Sequence, residues 1–149
     1  MSPDVLDGAD HVVRYCRPRT IDSQGRITAA AFTFRVRRKR EEFLSVNWLE
    51  HFDATTRAKR MHLLREVLRK KLTLSKRGRL GVLQIGRIRD LALRRGTESV
   101  RLVPHRSKED PSHAGIHVAE EQEMAAAAIL ANLVEEAFLA QTDAATAAK

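Results

Sequence analysis

The sequence predicts an α+β fold: a small mixed or antiparallel sheet with an N-terminal hairpin, covered by an amphipathic helix and a long C-terminal helix. Three observations predict it. Between Arg26 and Arg37 large and apolar side chains alternate with polar ones. Between Ala54 and Leu72 they recur at helical spacing. From Val118 to Leu139 the chain is rich in Ala, Leu and Glu.

Taken in order, residues 1–10 are polar and read as a lead-in. His11–Cys16 is a short strand, stopped by Pro18, whose ring disfavours helix in the residue before it. Residues 17–25, with Pro18, Asp22, Ser23 and Gly25, read as a turn. Ala30, Phe32, Phe34 and Val36 then share one side of an extended chain, and Ala31, Thr33, Arg35 and Arg37 the other. Arg37–Glu42 would be the hairpin tip and Leu44–Val46 the return strand.

Asp53 is placed to cap the helix of residues 54–72. Met61, Leu64, Val67, Leu68 and Leu72 form its buried stripe, and Lys59, His62, Arg65, Glu66, Arg69 and Lys70 its polar face. Leu80–Ile85 suits a buried strand, and Ile88–Arg95 a short helix ended by Gly96. Val100–Val103 alternates again up to Pro104, and residues 104–115 read as a polar loop. Glu120, Glu121 and Glu123 suit the start of the last helix, whose stripe is Ile129, Leu130, Leu133, Val134 and Ala137. A single domain over residues 1–140 with a fraying tail at 141–149 is expected.

Composition narrows the class. With 43% hydrophobic residues one sizeable core is within reach. The lone cysteine, Cys16, excludes an internal disulfide and a Cys-rich zinc site. No apolar run approaches a membrane span, the longest being the eight residues Met124–Ala131, and the first residues lack signal-peptide character. A cytoplasmic protein is the expectation.

Net charge is +8 and unevenly placed. Residues 1–106 hold 25 Lys+Arg against 11 Asp+Glu, and residues 107–149 hold 2 against 8. A basic body of this kind points to a non-enzymatic module that contacts nucleic-acid phosphates or an acidic protein partner. Its candidate footprint is Arg35, Arg37, Arg38, Lys39 and Arg40 at the hairpin tip with Lys59, Arg65, Arg69 and Lys70 on the helix. The acidic last helix would shield part of that surface or meet a partner. A second copy of the chain is a further admissible partner, since Ala125–Ala128 permits close helix approach.

A different reading rests on the segment Glu109–His117, which packs two acids, a Ser and two His into nine residues. It predicts a small hydrolytic enzyme with Asp110, His113 and His105 as catalytic groups and His117 as a further candidate. Asp110, His113 and His117 have the three- and four-residue spacing of ligands on a helix, but Gly115 argues against a helix there, and no metal or cofactor is assigned. If the first strand lay beside the last, His11 would join the group. The plainer reading makes Asp110-Pro111 a turn and His113 a loop-closing hydrogen bond. Ser112 beside His113 lacks the Gly-x-Ser-x-Gly elbow of a nucleophile. Cys16 reads as structural, Trp48 as a core anchor and Asn47 as a hydrogen-bonding residue. A third reading is a structural subunit of a larger assembly.

Overall fold

The computed structural model describes residues 6–36, 39–40, 42–94 and 100–141, with the backbone alone at 35–36, 39–40 and 91–94. The elements are β1 (His11–Cys16), β2 (Arg35–Val36), β3 (Lys39–Arg40), β4 (Leu44–Trp48), α1 (Arg57–Arg69), β5 (Arg79–Gln84), α2 (Ile85–Arg94), β6 (Arg101–Pro104), β7 (His113–His117), α3 (Glu123–Leu133) and β8 (Glu136–Leu139). Six strands form one sheet in the order β6-β7-β4-β1-β5-β8, antiparallel at every pairing, while β2 and β3 pair only with each other. The α+β class is therefore as expected, with an antiparallel sheet.

Side-chain alternation along the strands divides the core in two. Val13, Leu80 and Val82 face α1, where Met61, Leu64 and Leu68 meet them. Val12, Leu44, Val46, Leu83 and Ile116 face the other way, onto Ile88, Ala126, Ala127 and Leu130 of α2 and α3. The sheet is thus the middle layer, with α1 on one side and α2 and α3 on the other.

Four expectations about elements are corrected. Residues 26–34 are not a strand: Ala29–Phe32 is a 3-10 turn that buries Ala31, Phe32 and Phe34 in the core. The period of two is lost in this turn, where Ala30 is exposed and Ala31 and Phe32 are both buried, and three successive alanines have little strand preference. The N-terminal hairpin shrinks to the two rungs Arg35↔Arg40 and Val36↔Lys39. Residues 113–117, placed in the loop and at its end, are β7, an inner strand between β6 and β4. The long C-terminal helix is a 3-10 turn, Glu120–Gln122, followed by α3, and it stops at Leu133. The chain then enters β8, which pairs with β5 from Arg79↔Leu139 to Val82↔Glu136. An open edge of hydrogen-bonding groups on β5 outweighs the modest helix preference of these last residues.

Smaller details shift as well. The α1 cap is Thr56, whose hydroxyl accepts from the Lys59 N–H, rather than Asp53. The helix α2 begins at Ile85, three residues earlier than expected, and Gly86 in its first turn lets the Gly8 carbonyl approach to 2.8 Å of its N–H. Gly96 and residues 142–149 of the expected tail lie outside the described residues, while the Gln141 amide donates to the Leu74 carbonyl. No helix among the described residues is long and apolar enough to cross a membrane.

Candidate functional site

Two neighbouring surfaces on the α1 side of the sheet carry the charged and protic groups. The first is built where α1 ends. Arg17-Pro18-Arg19 turns away from β1, and the segment 70–78 returns from α1 to β5. The backbone N–H of Ser75 donates to the Tyr15 hydroxyl at 3.0 Å. Gly78 packs on the same ring, where a Cβ would lie 2.8 Å from Tyr15 Cε1. Between the two segments lies a cleft of about 520 Å³ lined by Tyr15, Arg17, Pro18, Arg19, Leu72, Thr73 and Ser75.

Arg17 and Arg19 in this lining, and Lys70, Lys76 and Arg77 beside its other wall in sequence, lie at the surface, and among the described residues no carboxylate pairs with them. No Asp or Glu occurs in residues 14–21 or 67–79. Cations at the end of α1 also suit the negative end of its dipole, so part of the cluster is explained by helix stability alone.

The residues of the predicted footprint do not share one environment. Lys59 on α1 and Lys70 at its C-cap are exposed, eleven residues and so about three turns apart on the same side. Arg69 is exposed but bonded to Glu66 at 2.6 Å. Arg65 does not belong to the surface: it is 7% exposed, and its Nε and Nη2 donate to the Leu139 carbonyl. Its position falls on the boundary of the apolar stripe, where a long aliphatic stem packs as well as a hydrophobe. Arg37 and Arg38 lie outside the described residues, as do the side chains of Arg35, Lys39 and Arg40. The acidic turn Glu120–Gln122 precedes α3, across the sheet from α1. Two other acids do reach the helix: Glu135 and Glu136 pair with Arg57 in its first turn, at 3.1 and 2.7 Å, and hold that guanidinium charged against burial.

The second surface lies on β4, β7 and β6. Register places Asn47 opposite both Val13 and His113, so His113, Gly115 and His117 share the α1-side face with Ser45 and Asn47. His105 follows β6 and donates its N–H to the His113 carbonyl. Its ring stacks on Phe43, with centroids 4.2 Å apart and planes 12° from parallel. Gly115 makes room for the stack, since a Cβ there would meet Phe43 at 2.6 Å and His105 at 2.8 Å. His105 Nε2 and His117 Nε2 are 2.8 Å apart, close enough for one to donate to the other. Burial, then the neighbouring His105 and Arg101, lower the His117 pKa below its ordinary value.

The predicted catalytic residues are close in space but not joined as a catalytic set. Asp110 is 1% exposed. Its carboxylate accepts from Asn47 Nδ2 at 2.8 and 3.0 Å, from Ser112 Oγ at 2.7 Å and from Lys71 Nζ at 2.5 Å. Burial works to raise its pKa, but these bonds outweigh it and hold it below the ordinary carboxylate value. The Asp110 backbone carbonyl also accepts from the Ser107 and His113 N–H groups. Asp110 therefore buckles the 105–113 turn onto β4. The imidazole of His113 turns elsewhere: Nδ1 lies 3.1 Å from the His105 carbonyl and Nε2 lies 3.2 Å from Ser45 Oγ. Burial, then the Lys71 charge, lowers its pKa.

His11 does not join this group. One strand, β4, separates β1 from β7, and His11 Nδ1 sits 2.6 Å from Glu50 Oε2, with Nε2 facing Arg57. Cys16 is buried, which pushes its pKa up to about 11. Trp48 is a partly buried core residue whose Nε1 donates to Asp10. Among the described residues no three His, Cys, Asp or Glu side chains converge to hold a metal ion.

Sequence reasoning missed Ser45, Phe43 and Lys71 at the second surface and Tyr15, Arg17 and Arg19 at the first. The alternation of His113, Gly115 and His117 against Ala114 and Ile116 is the signal that would have shown the strand. Nothing in the sequence pairs that strand with Ser45. No family model, curated protein or solved structure matches this chain.

Proposed function

We propose that the protein is a polyanion-binding module that grips nucleic-acid phosphates at the end of α1. The observation that carries this reading is the cleft lined by Arg17 and Arg19, with Lys70, Lys76 and Arg77 within two residues in sequence of its other wall, all five at the surface and unpaired with carboxylates among the described residues. Charges left unpaired on one end of a protein concentrate the potential there and draw in polyanions. Arginine guanidiniums add bidentate geometry toward phosphate, and the Thr73 and Ser75 hydroxyls in the cleft add neutral donors. Contacts of this kind read charge and spacing rather than sequence. Placement in the cytoplasm fits this role.

Fluorescence anisotropy with a labelled duplex and a labelled single strand tests the reading. Binding is expected at ~50 mM salt and weakens steeply toward ~200 mM, with log K falling by ~0.9 per phosphate contact on a duplex. The quadruple variant Arg17→Ala/Arg19→Ala/Lys76→Ala/Arg77→Ala should lose most of that slope while keeping its fold. Absence of binding to either strand form, or an affinity indifferent to salt, refutes nucleic acid as the ligand. Binding of poly-glutamate alone would then assign the cleft to an acidic protein partner.

A further inference from the structure

The Ser45–His113 contact sets a hydroxyl against an imidazole at 3.2 Å on the sheet face that bears α1. The His105 carbonyl can only accept, so the proton bonded to it belongs to His113 Nδ1. Burial and the Lys71 charge keep the ring neutral near pH 7. A neutral imidazole protonated at Nδ1 has its lone pair on Nε2, the nitrogen 3.2 Å from Ser45 Oγ. The hydroxyl therefore donates to a base whose tautomer is fixed by the main chain.

Ser45 is exposed, and its register partner is Gly115, which offers no side chain to cover it. The backbone behind it is rigid, since β4 is an inner strand between β7 and β1. Nucleophile, base and an orienting acceptor on the base are the parts that activate a serine, here with a carbonyl in the third position.

We propose that Ser45 is a nucleophile, with His113 as its general base, for electrophilic phosphorus in an anionic ester. Attack forms the Oγ–P bond as the bond to the leaving oxygen breaks. The Oγ proton passes to His113 Nε2 and then to the departing alkoxide. Water, activated by the same nitrogen, cleaves the Oγ–P bond and restores the hydroxyl. The overall change is ester plus water to alcohol plus phosphate. Lys71, held by Asp110 beside this site, places a positive charge near the phosphoryl oxygens. This assignment takes His113 from the set expected from the sequence, replaces Asp110 and His105 as its partners, and stands independently of polyanion binding at the cleft.

A fluorophosphonate probe tests it on the whole protein. Here the Oγ–P bond forms as P–F breaks, and fluoride leaves. Intact-mass spectrometry should show one adduct, mapped by peptide sequencing to Ser45 and absent from Ser45→Ala. His113→Gln should fold, by circular dichroism, and label ~10²-fold more slowly or worse, the usual contribution of a positioned base. No adduct on the wild-type chain, an adduct that persists in Ser45→Ala, or an unchanged rate in His113→Gln overturns the proposal. Labelling is read without nucleic acid, so its failure leaves the cleft reading intact, and loss of nucleic-acid binding leaves this one intact.

Discussion

A carboxylate buried as deeply as that of Asp110 is stable only while its lone pairs are occupied, and Asn47, Ser112 and Lys71 occupy them. Asp110→Ala removes the acceptor for three donors at once. A loss of about 3 kcal/mol in urea denaturation is expected, in the range for breaking a buried pair. The lowered pKa fixes a sign as well. The folded state holds the Asp110 proton less tightly than the unfolded chain, so its stabilisation is complete above the unfolded value of ~3.9 and fades as pH falls through the folded one. His113 and His117, also lowered, act in the same direction at a higher window. Their contribution is complete above the unfolded value of ~6.5 and is lost as pH drops below it. Urea midpoints should therefore fall between pH 7 and pH 5, and His117→Gln should flatten that slope. Cys16, a thiol up to about pH 11, should resist a thiol reagent in the native protein at pH 8 and react after unfolding.

Edge strand β8 is short and carries Glu136, Ala137 and Leu139 outward, so its ladder to β5 alone is a weak hold. The buried Arg65 guanidinium grips its end through the Leu139 carbonyl, and Arg57 grips its start through Glu135 and Glu136. Helix α1 thus fastens the strand at both ends across the sheet. Arg65→Met keeps the packed stem and releases the carbonyl. Amide exchange at residues 136–139 should quicken selectively, with a global cost of about 1–3 kcal/mol, the value of a hydrogen bond to a charged group. Toward the opposite edge of the sheet, β7 depends on Gly115. Gly115→Ala would drive a methyl into the Phe43–His105 stack, an overpacking change that costs about 1–3 kcal/mol.

On the scale of the whole molecule, charge differs between the two ends of α1. The acids before and at the start of α3 lie across the sheet from α1, and Glu135 and Glu136 are spent on Arg57 at the start of that helix. Its far end is left positive. Among the described residues, that end of α1 is a basic surface on a chain of net charge +8. A ligand bound there in the folded state alone raises stability by RT ln(1 + [L]/Kd), about 2.7 kcal/mol at a hundredfold excess over Kd. A short oligonucleotide should therefore raise Tm at low salt, and the shift should vanish near ~0.5 M salt as the charges are screened.

The amphipathic helix at Arg57–Arg69, the strands at His11–Cys16 and Arg79–Gln84, the α+β class and the basic body were determined by the sequence itself. Each depends on a period or a composition, and those are local properties. The tertiary structure alone decided the rest. Glu136–Leu139 became a strand because β5 offered an edge, and residues 29–32 left the extended form for a 3-10 turn that buries the adjacent Ala31 and Phe32 together, which a strand would put on opposite faces. Asp110 proved a buckle, and His113 found its partner in Ser45, because strand order brings together residues 68 positions apart. Pairing across a sheet depends on which edges meet in space, and a chain read one window at a time holds no record of that.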